Sequence, residues 1–142
     1  MMADRAHIER LVPHAGAMCL LDAVAQWDAA QITCTSAEPG SSHPLARDGV
    51  VPSIAAAEYA AQATAVHGAL LDGAGQPRAG LLVKLMDVDL HSACFPSRGG
   101  VTVNATLLSR SSGGCLYAFE VGSAARPIAS GRLIVAFGSP AA

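Results

Sequence analysis

VPSIAAAEYAAQATAVHGALL, residues Val51–Leu71, is the stretch on which the fold turns. It opens with Pro52-Ser53, a start signal in which Ser53 can cap the backbone N–H groups that a first turn leaves unpaired. From there it runs without Gly or Pro until Gly68, built mostly of alanine, the best helix former. In its middle only Glu58 and Gln62 are strongly polar; four residues apart, they share one helix face. So apolar a helix is expected to be buried rather than laid on a surface. A carboxylate in it is costly if dry and unpaired. Glu58 therefore stands at the edge of the buried region, or is paired, or serves chemistry.

Outward from this helix, the chain reads as strands and turns. On the N-terminal side, Arg5–Leu11 forms a short helix that Pro13 ends. His14–Ala17 is a turn. Met18–Trp27 is apolar enough for helix or strand, whereas Gln31–Ser36 is a β-branched alternating run with Ile32, Cys34 and Ser36 on one face. A hairpin across Asp28-Ala29-Ala30 joining the two is the preferred reading. Glu38–Asp48 is loop. On the C-terminal side, Asp72–Pro77 is a surface loop, and Ala79–Leu90 is long and apolar, expected as a central strand. Val101–Ser109 and Cys115–Val121 alternate, with turns at Pro96–Gly100, Arg110–Gly114 and Gly122–Pro127. Ile128–Phe137 closes the sheet. One helix among about six strands must supply the core for the whole sheet, which has to curl round it. The expectation is α+β: a single hotdog domain over residues 1–142, with its central helix at about 52–71. A curled sheet leaves an edge strand unpaired, so dimerisation edge to edge is expected.

Composition narrows the function. Half of the 142 residues are apolar, 14% are charged, and the net charge is −2. The nine basic residues form no run, which argues against a nucleic-acid or anionic-membrane partner. The N-terminus has no apolar core and does not read as a secretory signal, and no apolar run is long enough to span a bilayer. Cys19, Cys34, Cys94 and Cys115 lie far apart, which suits reduced, buried thiols in a cytoplasmic protein and not a zinc site. No metal or cofactor is expected.

LVPHAGAMCLLDAV at Leu11–Val24 is similar to the LPH-x-x-PMLLLDRV opening of the 3-hydroxyacyl-ACP dehydratases of the hotdog superfamily. LARDGVVPSIAAAEYAAQ at Leu45–Gln62 resembles their loop and central helix, and ASGRLIVAF at Ala129–Phe137 resembles their closing strand. The nearest resemblance is to the dehydratase-like proteins of aryl polyene clusters. It implies that Glu58 and Gln62 take the places of the family's helix Glu and Gln. One departure stands out. The fatty-acid dehydratases carry a catalytic histidine in G-H-F-P just before the helix, whereas Ala46–Val50 here contains none. The nearest histidines are His43 and His14.

Dehydration of a 3-hydroxyacyl thioester needs a base for the proton beside the carbonyl, an acid for the departing hydroxyl, and donors for the enolate-like oxygen. Glu58 suits acid–base work, because burial in an apolar helix raises a carboxyl pKa. His14 or His43 would complete the pair. The helix entry, Gly49, Val50, Val51, Pro52 and Ser53, is the candidate substrate-binding stretch, with free N–H groups at Val51–Ser53 for the thioester oxygen. Gln62 can orient Glu58. His14 can instead bond the local backbone and His43 can be solvated. His67 is placed near the helix C-terminus, His7 and His91 have no role, and Asp48 is a weaker candidate, since a loop Asp before a helix often only caps or turns. Val50, Val66, Leu81 and Leu85 can line an acyl tunnel or be ordinary core.

The first reading is therefore a 3-hydroxyacyl thioester dehydratase acting on chains bound to acyl carrier protein, or to coenzyme A, in fatty-acid or aryl polyene synthesis. The alternatives are a hotdog acyl thioesterase and a non-catalytic or half-active acyl-binding subunit. The expected assembly is a homodimer, or a heterodimer with another hotdog subunit.

Overall fold

The computed structural model describes residues 3–11, 19–40, 42–73, 80–96, 98–123 and 125–137. They form strands β1 (Ala3–Asp4), β2 (Ala23–Trp27), β3 (Gln31–Ser36), β4 (Gly80–Leu90), β5 (Val101–Ser111), β6 (Gly114–Ser123) and β7 (Arg126–Phe137), with helices α1 (Arg5–Leu11) and α2 (Ala56–Asp72). All strands belong to one antiparallel sheet in the order β1-β2-β3-β5-β6-β7-β4. The long helix lies against it, touching β3, β4, β5, β6 and β7.

Alternation explains the sheet's two faces. Along β5, Val101, Val103 and Ala105 are buried while Thr102, Asn104 and Thr106 are exposed; along β6, Cys115, Tyr117, Phe119 and Val121 point inward. Ile32 and Cys34 of β3, with Leu133 and Val135 of β7, complete the inner face. Ala56, Ala60 and Ala63 of α2 are fully buried, and with no side chain beyond Cβ they let the helix sit close to the sheet. Gly73 ends α2 in the left-handed conformation at φ 59°, its N–H bonded to the Leu70 carbonyl. The β2–β3 hairpin turns on Asp28, whose carboxylate accepts the Ala30 and Gln31 amides at 2.7 and 3.0 Å.

Two readings of the sequence need correction. The Ala79–Leu90 run is not central: β4 lies at the end of the sheet and pairs with β7, leaving Val83 and Leu90 half or more exposed. Ser53 is not a cap; it lies buried in a three-ten turn, Ser53–Ala55, that precedes α2, and neither helical start has a side-chain cap. His67, late in α2 as expected, is fully buried. The four cysteines are free thiols, three of them buried, and burial pushes Cys34 up to about 12.

Candidate functional site

The helix entry is built from an Asp-Gly turn. Asp48 and Gly49 both take positive φ, 53° and 78°, and the Arg47 and Val50 backbones bond each other in both directions at 2.7 and 3.1 Å. This is the two-residue turn that Asp-Gly favours, and it answers the reading of Asp48 as a turn residue. The chain then pairs with the segment after β4: Ser53 N–H donates to the Ala93 carbonyl and Phe95 N–H to the Val51 carbonyl. The expectation of free N–H groups across the entry therefore fails in part. The Ser53 amide is engaged, Val50 donates to Arg47, and Pro52 has no N–H. The amides of Gly49 and Val51 are outside these bonds.

Ile54, Glu58 and Gln62 follow one another at four-residue steps, from exposed through half-buried to fully buried. Glu58 is thus at the edge of the buried region and also paired. Gln62 Nε2 donates to Glu58 Oε1 at 3.2 Å, and Gln62 Oε1 accepts the Leu20 amide at 2.8 Å. One buried amide ties the carboxyl to the segment that enters β2. That segment is held again by Asp22, which accepts Arg5 Nη1 at 2.8 Å and the Ala37 amide at 2.6 Å.

His43 is half-buried and both of its ring nitrogens are occupied. Nδ1 accepts the Leu45 amide at 3.0 Å, and Nε2 lies 3.1 Å from the Tyr59 hydroxyl, with the two rings stacked at 5.9 Å between centroids. Burial lowers its pKa, so it is neutral at pH 7. Burial also pushes the Tyr59 phenol up to about 12. His14 lies outside the described residues, as does the Leu81 side chain. Of the other tunnel candidates, Val66 is sealed in the core, Leu85 half-buried and Val50 exposed.

Sequence reasoning missed Tyr59, Ser36 and the Leu20 backbone. Tyr59 had a signal: apart from His67 it is the one aromatic ring in an alanine-rich helix, and it adjoins Glu58. Ser36 had none, because its contact is set by tertiary packing. A cavity of about 570 Å³ on the outer sheet face, lined by Thr102, Asn104, Glu120 and Ser130 among others, lies on the side away from α2. Among the described residues no helix is long and apolar enough to cross a membrane.

Solved structures share this architecture. A chain of the dehydratase heterocomplex ApeI:P from Xenorhabdus doucetiae superposes with a TM-score of 0.82 at 21% identity, covering 93% of this chain and 91% of that one. A mutant thioesterase from Staphylococcus aureus gives 0.64 at 14% identity, over 82% and 93% of the two chains. A hypothetical thioesterase with coenzyme A from Streptococcus pneumoniae gives 0.59 at 9% identity, over 84% and 88%. These likenesses establish the hotdog fold. No functionally curated protein matches the chain. The family model described as ApeP-like, ApeP dehydratase, matches residues 6–140, which take in the Glu58–Gln62 frame and every segment packed around it; the chain belongs to the ApeP-like dehydratase family.

Proposed function

We propose that this chain takes part in dehydrating 3-hydroxyacyl thioesters in aryl polyene type synthesis, with Glu58 exchanging protons with the substrate. The observation that carries the reading is the carboxyl of Glu58 at the rim of a buried helix, held in one orientation by Gln62, itself fixed by the Leu20 amide. A proton donor or acceptor must meet its substrate atom at about 3 Å, and a carboxyl clamped at the rim meets that demand better than one free to rotate. The reaction breaks the C–H bond beside the carbonyl and the C–O bond of the hydroxyl, forms the C=C bond and releases water. No redox partner or metal is required.

His43, with both nitrogens engaged, is assigned a positioning role instead of the base. The base is then His14 or a group from a second subunit. Val51 and Gly49 are the amides assigned to the thioester oxygen, and Pro52 and Ser53 shape the entry. The solved ApeI:P assembly is a heterocomplex, and the exposed apolar β4 edge, with Val83 and Leu90, suits a second hotdog subunit.

The test uses the chain alone and mixed with its second hotdog subunit, given a 3-hydroxyacyl thioester on carrier protein. Growth of the α,β-unsaturated thioester absorbance without thiol release is expected. Thiol release without that absorbance would replace the dehydratase by a thioesterase. Turnover only in the mixture would make this chain one half of the enzyme.

A further inference from the structure

Around Leu20, three side chains from two segments join in one hydrogen-bonded series, and counting protons fixes its direction. Ser36 Oγ lies 2.6 Å from the Leu20 carbonyl, which can only accept, so Ser36 donates its one hydroxyl proton there. On the other side of the same residue, Leu20 N–H donates to Gln62, and Gln62 donates to Glu58.

We propose that Ser36 is a positioning residue for Glu58, acting through the doubly held Leu20 backbone and the Gln62 amide. Every donor in the series points the same way, from Ser36 toward Leu20 and on from Leu20 to the carboxyl. Such chains polarise and stiffen one another, the more so in a medium drier than water. Leu20 and Gln62 are both 5% exposed or less. Ser36 secures the carbonyl, since without it the Leu20 backbone is held from the Gln62 side and free to tilt about that bond. A tilt there moves the Gln62 amide and with it the carboxyl. The inference rests on the assignment of Glu58 as the proton-exchanging group.

The test combines turnover in the complex with its second subunit and the resonances of the Leu20 amide and the Gln62 side-chain amide in the isotopically labelled chain. Ser36→Ala should lower kcat by roughly 10–100-fold, the scale of a slightly misplaced reacting group, with KM unchanged, and shift both resonances. Ser36→Thr keeps the hydroxyl and should restore both readouts. In a Glu58→Gln background Ser36→Ala should cost nothing further, because the group it positions is already inert. Wild-type resonances in Ser36→Ala would overturn the coupling. Shifted resonances with unchanged kcat would overturn the positioning role. If the wild-type complex shows no dehydration at all, the assignment of Glu58 fails, and the positioning role fails with it even where the resonances move together.

Discussion

His43 with Tyr59 near the entry of α2, and His67 with Tyr117 near its exit, are the same chemical pair in two surroundings. His67 Nδ1 lies 2.6 Å from the Tyr117 hydroxyl and Nε2 lies 2.7 Å from the Asp28 carbonyl. Since a carbonyl only accepts, Nε2 carries the proton and Tyr117 donates to Nδ1. That series begins at Tyr117 and stops on a backbone carbonyl in the β2–β3 turn. The pair is closed and complete, and it fastens the helix to β6 and to the β2–β3 turn. At the entry, half-buried His43 stacks on buried Tyr59, and a separate series beside the pair runs from Ser36 through Leu20 and Gln62 to a carboxyl at the rim. A histidine–tyrosine pair is thus informative by what adjoins it, and only the entry pair adjoins a group that can do chemistry.

Three stability measurements sharpen this contrast, taken from the largest expected effect down. Tyr117→Phe leaves the buried His67 Nδ1 without a donor, a loss of about 1–3 kcal/mol, read as a fall of several degrees in Tm for a chain of this size. Activity per folded molecule should be unchanged. A loss of kcat in this variant would break the distinction between the two ends.

Acid pH is the next lever. Burial holds both His43 and His67 below the ordinary histidine value of 6.5. Below that pH the unfolded chain takes up protons that the folded chain still refuses. Their contribution to stability is therefore complete above pH 6.5 and declines as pH falls through the folded values. Tm should be level from pH 8 to 7 and fall toward pH 5.5, and less steeply in His67→Gln, which has no proton to take up. An equally steep fall in that variant would place the acid sensitivity elsewhere.

The smallest effect should come from Arg132→Ala. Arg132 pairs with Asp87 at the bulged β4 edge, and both side chains are well exposed. Exposed pairs contribute about 0–1 kcal/mol, so Tm should change by little and the change should shrink in salt. A shift as large as that of Tyr117→Phe would mean that burial is not what separates a fastening contact from an ornamental one.

Local pattern carried much of this structure. The alanine run announced α2, the alternation of Gln31–Ser36 gave β3 its bounds, and the four-residue step put Glu58 and Gln62 together. What it could not carry was tertiary. An apolar run such as Gly80–Leu90 reads as central whether neighbouring strands or another chain cover it. Ser53 had the chemistry of a cap, yet the pairing of the helix entry with Ala93 and Phe95 drew it inside. His67 sits on a helix buried nearly all round, where periodicity does not rank faces, and its partners are 39 and 50 residues away. The same holds for Ser36 at the candidate site. Its hydroxyl meets Leu20 where the chain enters the β2–β3 hairpin, a register that alternation alone does not set.

The central claim is that Glu58 is held at the rim of α2 for proton exchange. Glu58→Gln keeps the shape and the bond to Gln62 but removes the exchangeable proton. In the complex with the second subunit, turnover should fall by roughly 10²–10⁴-fold, the contribution of a positioned general acid or base. Tm should hold or rise, because a neutral amide avoids the cost of partly burying a charge. A variant that melts earlier yet keeps its rate would make Glu58 a structural member of the Gln62–Leu20 frame, and the account of the site would lose its centre.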